Sequence, residues 1–388
     1  MIHDLLGKVH IPELFETTQS FARPLAGNLD ELLRGKLAER ANIKAGQTIA
    51  ITVGSRGIAG YREIVDAITE FVRSKGASAV LVPAMGSHGG GTFDGQKAVL
   101  GKLGITDTLG EIVPFGEEVK LGESKHGKPV YISKAFLDAD GVIILNRVKP
   151  HTSFRGEYES GIVKMAAIGM GGAKGARTTH AAGYMKMAEN IAVAANTIFE
   201  KVNVVCAVAT VENAYGEVAS IDVVRKSDIM HAEPELLKKA WALMPKLPFD
   251  KLDVLIVDEI GKDISGTGMD TNIIGRYHTR AAFGGPDINK IVVLDLSEKS
   301  GGNANGVGLA DFTTKRLFDK IDYASTYLNV LTSTEPNSAK IPPVMDTDEL
   351  AIKAALFTCN QSRAESITMM RIRNTKDITN IEVSKNLL

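Results

Sequence analysis

The chain has 388 residues, 44% of them hydrophobic and 23% charged, with a formal net charge of -1. Such a chain is long for one core, so two domains are expected, and it lacks the charged blocks that meet nucleic acid or anionic membranes. No run approaches the roughly 20 apolar residues of a membrane span, and the acidic N-terminus is no signal peptide, so a cytoplasmic location is expected.

Residues 25–41 carry helical periodicity with acid–base pairs, as a helix covering a sheet would. Residues 47–53 read as a strand, ended by the GSRG run at 54–57. Over 61–75, Ile64, Val65, Ile68, Phe71 and Val72 form one helical stripe, closed by Gly76. Residues 79–82 are the next strand, followed by GSHGGG at 86–91. Strand, helix and strand at this spacing predict a βαβ unit, with both glycine loops at one sheet edge. The apolar run 141–145 is a further buried strand, expected to end at that edge. A helix at 183–200, a strand at 202–208 and a helix at 231–244 follow. Pro245 and Pro248 then mark a break. Beyond it, strands are expected at 252–257, 291–294, 367–372 and 378–383, and helices at 311–321 and 347–357. The fold class is therefore α/β: two α/β domains, 1–246 and 247–388, with mostly parallel sheets. Cys206 and Cys359 are far apart and read as reduced, buried thiols.

Residues 146–180 concentrate the chemistry. They hold His151, Lys164, Lys174, His180, Arg147, Arg155 and Arg177 among six glycines. Glycine lets backbone approach a bulky ligand, and Pro150 biases Lys149 toward an extended conformation before His151. A solvated basic loop is the alternative reading. Against it, His151 follows a strand end, where open parallel sheets place their ligands. Lys164 is also the one charged residue in an apolar segment at 162–168. A buried lysine tends to lose its charge and become nucleophilic.

His88, His151 and His180 lie in or after glycine-rich runs; the other histidines read as surface groups, except His278, which closes the polar loop beginning at Gly261. No HExxH pair supports catalytic zinc. GSHGGG lacks the GxGxxG order and no GxxxxGK[ST] occurs, so a dinucleotide or P-loop enzyme is poorly supported. Gly169, Gly171 and Gly172, with Lys174 and Arg177, could hold a single phosphate on backbone N–H groups and basic side chains.

GSH at 86–88, Pro150-His151, Lys164 and His180 together resemble the nickel-dependent lactate racemase family, including the sixteen-residue step from Lys164 to His180. The strand and loop from Thr52 to Arg56 resemble the place of that family's Thr-Arg-Pro. The resemblance implies two α/β domains with the active site in the cleft between them, the first carrying the cofactor and the second contributing substrate contacts. It also implies a nickel-pincer nucleotide (a pyridinium-3,5-bisthiocarboxylic acid mononucleotide), attached at Lys164, with His180 as nickel ligand. His88 and His151 become the acid–base pair on a 2-hydroxy acid, and partner enzymes would make the cofactor. Square-planar sulfur, carbon and nitrogen donors suit nickel(II). The reaction implied is racemisation or epimerisation at C2 by reversible hydride transfer. Arg56, Lys262 and Arg276 are candidates for the substrate carboxylate, and Arg56 also borders the cofactor. A homo-oligomer is compatible with the chain. Gly57 stands where the family has proline, Gly89 where it has arginine, and the segment between His151 and Lys164 is longer. These departures point to an acid other than lactate, with a sugar acid such as gluconate first, because 261–278 is rich in polar groups. A nicotinamide dehydrogenase, a metal-dependent hydrolase and a silent cofactor-binding homologue are the alternatives; four matched positions together favour the racemase.

Overall fold

The computed structural model describes every residue except Met1, Ser87, Ser362 and Arg363, so Ser87 of the GSH motif lies outside the described residues. The chain divides into two compact units: Phe21–His151 with Arg155–Met244, and Met1–Ser20 with Thr152–Phe154 and Pro245–Leu388. The break falls at Pro245. The first twenty residues, read from sequence as part of a 1–246 domain, instead join the C-terminal unit. Their strand β1 (Leu14–Thr18) runs antiparallel along the last strand of the chain.

The unit built on Phe21–His151 and Arg155–Met244 contains β2 (Thr48–Val53), β3 (Ser78–Pro83), β4 (Glu111–Ile112), the hairpin β5 (Glu118–Glu123) and β6 (Pro129–Ser133), then β7 (Gly141–Arg147), β8 (Val204–Glu212) and β9 (Val218–Arg225). Six of these form one sheet in the order β4-β3-β2-β7-β8-β9. All neighbours are parallel except β8 and β9. The stripe anticipated over 61–75 is the buried face of the helix Tyr61–Ser74. It shares its core with Ile49, Ile51 and Val53 of β2, and with Leu29, Leu33 and Leu37 of the helix Leu29–Arg40. Asn28 starts that helix by accepting the Glu31 N–H.

One feature of this sheet prepares a site. The chain lays β3 and β4 on one side of β2, then crosses to lay β7, β8 and β9 on the other. The β2/β7 border is thus a topological switch point, where open α/β sheets form a crevice beyond their strand ends. Backbone pairing between the two stops at Ile51 and Ile143, although both strands continue. Beyond it, the buried Thr52 hydroxyl accepts the Leu145 N–H at 2.9 Å. A side chain there replaces a ladder bond, and the strand ends part.

The second unit adds β10 (Lys251–Ile260), β11 (Asp287–Leu296), β12 (Phe312–Thr314), β13 (Val344–Met345), β14 (Met369–Asn374) and β15 (Asp377–Ser384). Its sheet order is β1-β15-β14-β10-β11-β12-β13, parallel from β14 to β13 and antiparallel around β15. Residues 311–321, expected as one helix, are instead β12 and a short helix, Lys315–Asp319. Thr313 and Thr314 donate their hydroxyls to the carbonyls of Val293 and Leu294, binding the segment to β11. The helix expected at 347–357 is present as Asp348–Thr358, with Thr347 as its cap. Both cysteines are buried, and burial pushes the Cys206 thiol up to about 12. Among the described residues, no helix is long and apolar enough to cross a membrane.

Candidate functional site

The carboxyl ends of β2, β3 and β7 deliver Ser55 and Arg56, the short 3-10 turn His88–Gly91, and Lys149 to His151. Residues 162–180 pack against these ends and are not a solvated loop. They form an α-helical turn Ile162–Lys164, a π-helical turn Met165–Gly169 and a helix Gly172–His180. Met165, Ala166, Ala167 and Gly169 are buried. Gly54, just after β2, leaves only 3.3 Å between the place of a Cβ and Met165 Cε; at Gly169 the Ala84 carbonyl, after β3, is 3.2 Å away. The glycines permit this close approach. π-turns inserted in helices frequently mark functional sites, because they re-aim the side chains around them.

Lys164 is the focus of the electrostatics. Burial first, then the nearby cations Lys149 and Arg56, lower its pKa to about 7, with Glu159 opposing them. A substantial fraction of this amine is therefore uncharged at neutral pH. Arg56 keeps solvent-accessible surface but stands in a crowded recess; that crowding, then Arg147, lowers its pKa too. An arginine remains charged regardless. Arg147 itself is paired with Glu212.

The backbone of Lys149 bonds to that of Ser160 in both directions, at 2.8 and 3.3 Å, closing the loop that carries His151. The His151 N–H donates to Glu159 at 2.6 Å, and its carbonyl accepts from Arg155 at 2.7 Å. Glu159 is 2% exposed; burial raises its pKa, against the His151 N–H and Arg155. Arg155 lies over the Trp241 ring at 4.8 Å. His151 is thus held by main-chain bonds on both sides.

His180 ends its helix, with Nδ1 2.7 Å from the Ala176 carbonyl. A carbonyl only accepts, so Nδ1 carries the hydrogen and the neutral ring presents the Nε2 lone pair. Burial lowers its pKa, and the neighbouring Lys164 adds to this. Tyr184 meets the ring edge-on, 6.2 Å between centroids. A metal-binding imidazole is oriented in this way, by a bond to its other nitrogen. Among the described residues no group of three or more His, Cys, Asp or Glu could hold a metal ion. A single oriented imidazole beside a neutral amine fits a metal group that brings most of its own donors. His88 is exposed, and its Nδ1 is engaged by the Ser55 hydroxyl across the β2 and β3 loops.

Other anticipated residues have different surroundings. Around Gly171, Gly172 and Lys174, read as a phosphate cradle, the N–H groups of Ala173 and Lys174 reach the Glu118 carboxylate at 2.5 and 3.1 Å. The Lys174 amine donates to the Glu118 carbonyl and lies over Tyr131. The protein's own anion thus takes the place foreseen for a phosphate. Arg276 donates to Asp311 at 2.5 Å and to the carbonyls of Leu309, Ile288 and Asn289, so its guanidinium staples the C-terminal unit together. Lys262 donates to the Gly266 carbonyl at 2.6 Å. His278, buried in that same unit, meets Ser153 at 3.1 Å, and burial followed by Lys262 lowers its pKa to about 4. Ser55 and Glu159 were missed from sequence. Nothing local marks them, since each acts on a residue reached only through the fold.

The fold and this cluster define a class: a two-unit α/β protein with a cation-rich recess and an oriented imidazole at a sheet switch point. Residues 15–192 match the family model of the lactate racemase N-terminal domain, so that stretch of the chain is similar to the lactate racemase family. Among solved structures it is similar to the lactate racemase apoprotein from Thermoanaerobacterium thermosaccharolyticum, with 14% identity and a TM-score of 0.52. That alignment covers 87% of this chain and 80% of the other, and at this identity it speaks for the fold alone. No curated protein matches the chain.

Proposed function

We propose that this chain is a racemase or epimerase acting at C2 of a 2-hydroxy acid. In this reading it holds a nickel-pincer nucleotide through Lys164 and His180. The observation that carries the reading is a half-buried, near-neutral amine within electrostatic reach of an imidazole whose Nε2 lone pair is presented by its own helix. When bound, such a group supplies a reversible acceptor for the hydride of an otherwise unacidic carbinol C–H. Lys164, as free amine, is a nucleophile fit to be acylated, whereas an ordinary exposed lysine is protonated at neutral pH. His180, kept neutral, is fit to ligate.

His88 and His151 are the proton-handling pair. One takes the substrate hydroxyl proton while the other returns a proton to the carbonyl oxygen, so both enantiomers or epimers are reached without net redox change. Ser55 holds the His88 ring by Nδ1, and Glu159 with Arg155 holds the main chain at His151. Arg56 offers a permanent cation for the substrate carboxylate. Lys262 remains a proposed second contact, while Arg276 is already committed to Asp311 and three carbonyls. The polar loop at 261–278 gives less support to a sugar acid than its composition implies. Ser265 and Thr267 bond each other, and Asp263, Asp270 and Thr271 bond within their unit.

The test is metal analysis and intact mass of protein purified from cells that make the cofactor. One nickel per chain is expected, with an added mass that peptide mapping places on Lys164. Such protein is then offered enantiopure lactate, malate, 2-hydroxyglutarate, gluconate and mannonate. Loss of chirality or epimer formation with none of them, at full nickel loading, would overturn the reading.

A further inference from the structure

We infer that Glu233 is a positioning residue for Lys164: its buried carboxylate fixes the start of the helical turn that aims the amine into the recess. The inference rests on the proposed role of Lys164 as a neutral amine. Glu233 belongs to the helix Ile229–Leu243, is 2% exposed, and accepts the Val163 N–H at 2.8 Å, one residue before Lys164. The Ile162 N–H lies beside the same carboxylate. On the other side, the Asn146 amide, in β7, donates to the Gly161 carbonyl at 2.8 Å. The start of the turn is therefore gripped between β7 and the helix Ile229–Leu243.

Gly161 completes the fit. Its backbone is extended, a conformation open to any residue, so no unusual φ explains the glycine. Space explains it: a Cβ there would overlap the Glu233 carboxylate. Burial raises the Glu233 pKa to about 7, opposed by the N–H groups of Val163 and Ile162 and, among the described residues, by no cation. A carboxylate buried without a cation is costly, and a leucine of similar volume would fill the space more cheaply. What leucine could not do is accept the N–H groups at the start of the turn. Lys164 meanwhile feels the charges of Arg56, Lys149 and Glu159 and acts on His180 in turn, and a small change in its depth alters its burial and each of these effects.

The test uses the full chain without cofactor. Labelling of Lys164 by an amine-reactive ester is followed against pH by peptide mass mapping. The wild-type midpoint is expected near 7, as burial dictates. Glu233→Gln keeps an acceptor for the Val163 N–H and should stay within about half a unit of wild type; Glu233→Ala should move the midpoint up by about one unit or more. Should the alanine variant fail to fold, Gly161→Ala displaces the carboxylate from the other side and should move the midpoint likewise. A wild-type midpoint near that of an ordinary lysine would sink the neutral-amine reading itself. A wild-type midpoint near 7 that neither Glu233→Ala nor Gly161→Ala moves would overturn the role of Glu233 alone.

Discussion

Lys164 is a residue whose folded-state pKa lies well below its unfolded value, and that has a consequence for stability. Burial lowers it from 10.5 to about 7. Between those values the unfolded chain binds more protons, so stability rises with pH across that window. Below about pH 7 the penalty is complete, and above 10.5 it is gone. Lys164→Met is therefore expected to stabilise the protein at pH 6 by about 1–3 kcal/mol, a figure discounted for the partial exposure of Lys164. The gain should shrink toward zero near pH 10. Denaturant unfolding at several pH values checks this, and an equal gain at every pH would count against a neutral amine. The same variant should carry no covalent cofactor. His180→Ala makes a contrasting case, because among the described residues its ring bonds its own helix carbonyl and meets Tyr184. Nickel retention should fall to background after cofactor loading, with the unfolding midpoint nearly unchanged. Full nickel stoichiometry in the folded variant would remove His180 from the site.

At the scale of elements, the segment Gly172–His180 shows what can and cannot be seen from composition. Its glycines and cations are legible as a ligand-binding run, and the adjoining strands are legible because β2, β3 and β7 are nearly continuous apolar stretches between glycines. The hairpin of β5 and β6 was not seen. β5 reads EVKLGE, without a clean apolar face, and it packs no core of its own. Yet Glu118 of β5 meets the amides of Ala173 and Lys174, more than fifty residues later, and occupies the N–H groups that follow the glycine run at 171–172. Gly172 has φ +65° and would crowd Glu118 and Phe115 with any side chain. Glu118→Ala should cost about 1–2 kcal/mol, the usual range for losing an acceptor and a favourable charge at a helix start. If the helix start is closed in this way, the variant should still retain its cofactor at wild-type stoichiometry once folded. Cofactor loss larger than the stability loss would restore the phosphate reading of Gly171, Gly172 and Lys174.

Across the whole molecule, a net charge of -1 conceals a local cluster of Arg56, Lys149 and Lys164, since basic groups drawn from two loops and a helical turn meet only where the strand ends assemble them. The membership of the units was hidden for a similar reason: nothing in the first twenty residues states which sheet they join. β1 pairs with β15 at five positions, from Leu14 with Ser384 to Thr18 with Asn380, and the Gln19 N–H extends the contact to the Thr379 carbonyl. Leu6 is buried against Leu350 and Ala354. Removing Met1–Ser20 should therefore strip the C-terminal unit of a strand and of Leu6, whose burial alone contributes about 1.5–3 kcal/mol. β15 would become a bare sheet edge, and exposed edges invite pairing with other chains. Amide exchange is expected to quicken in β15 and β14, and sedimentation to reveal association. The groups named as acting on Lys164 and His180, Glu233 included, all belong to the unit Phe21–His151 with Arg155–Met244, so the Lys164 labelling midpoint should stay where it is in the full chain. Unchanged exchange in β15 would refute the strand's structural role, and a shifted midpoint would show that the environment of Lys164 extends beyond those groups.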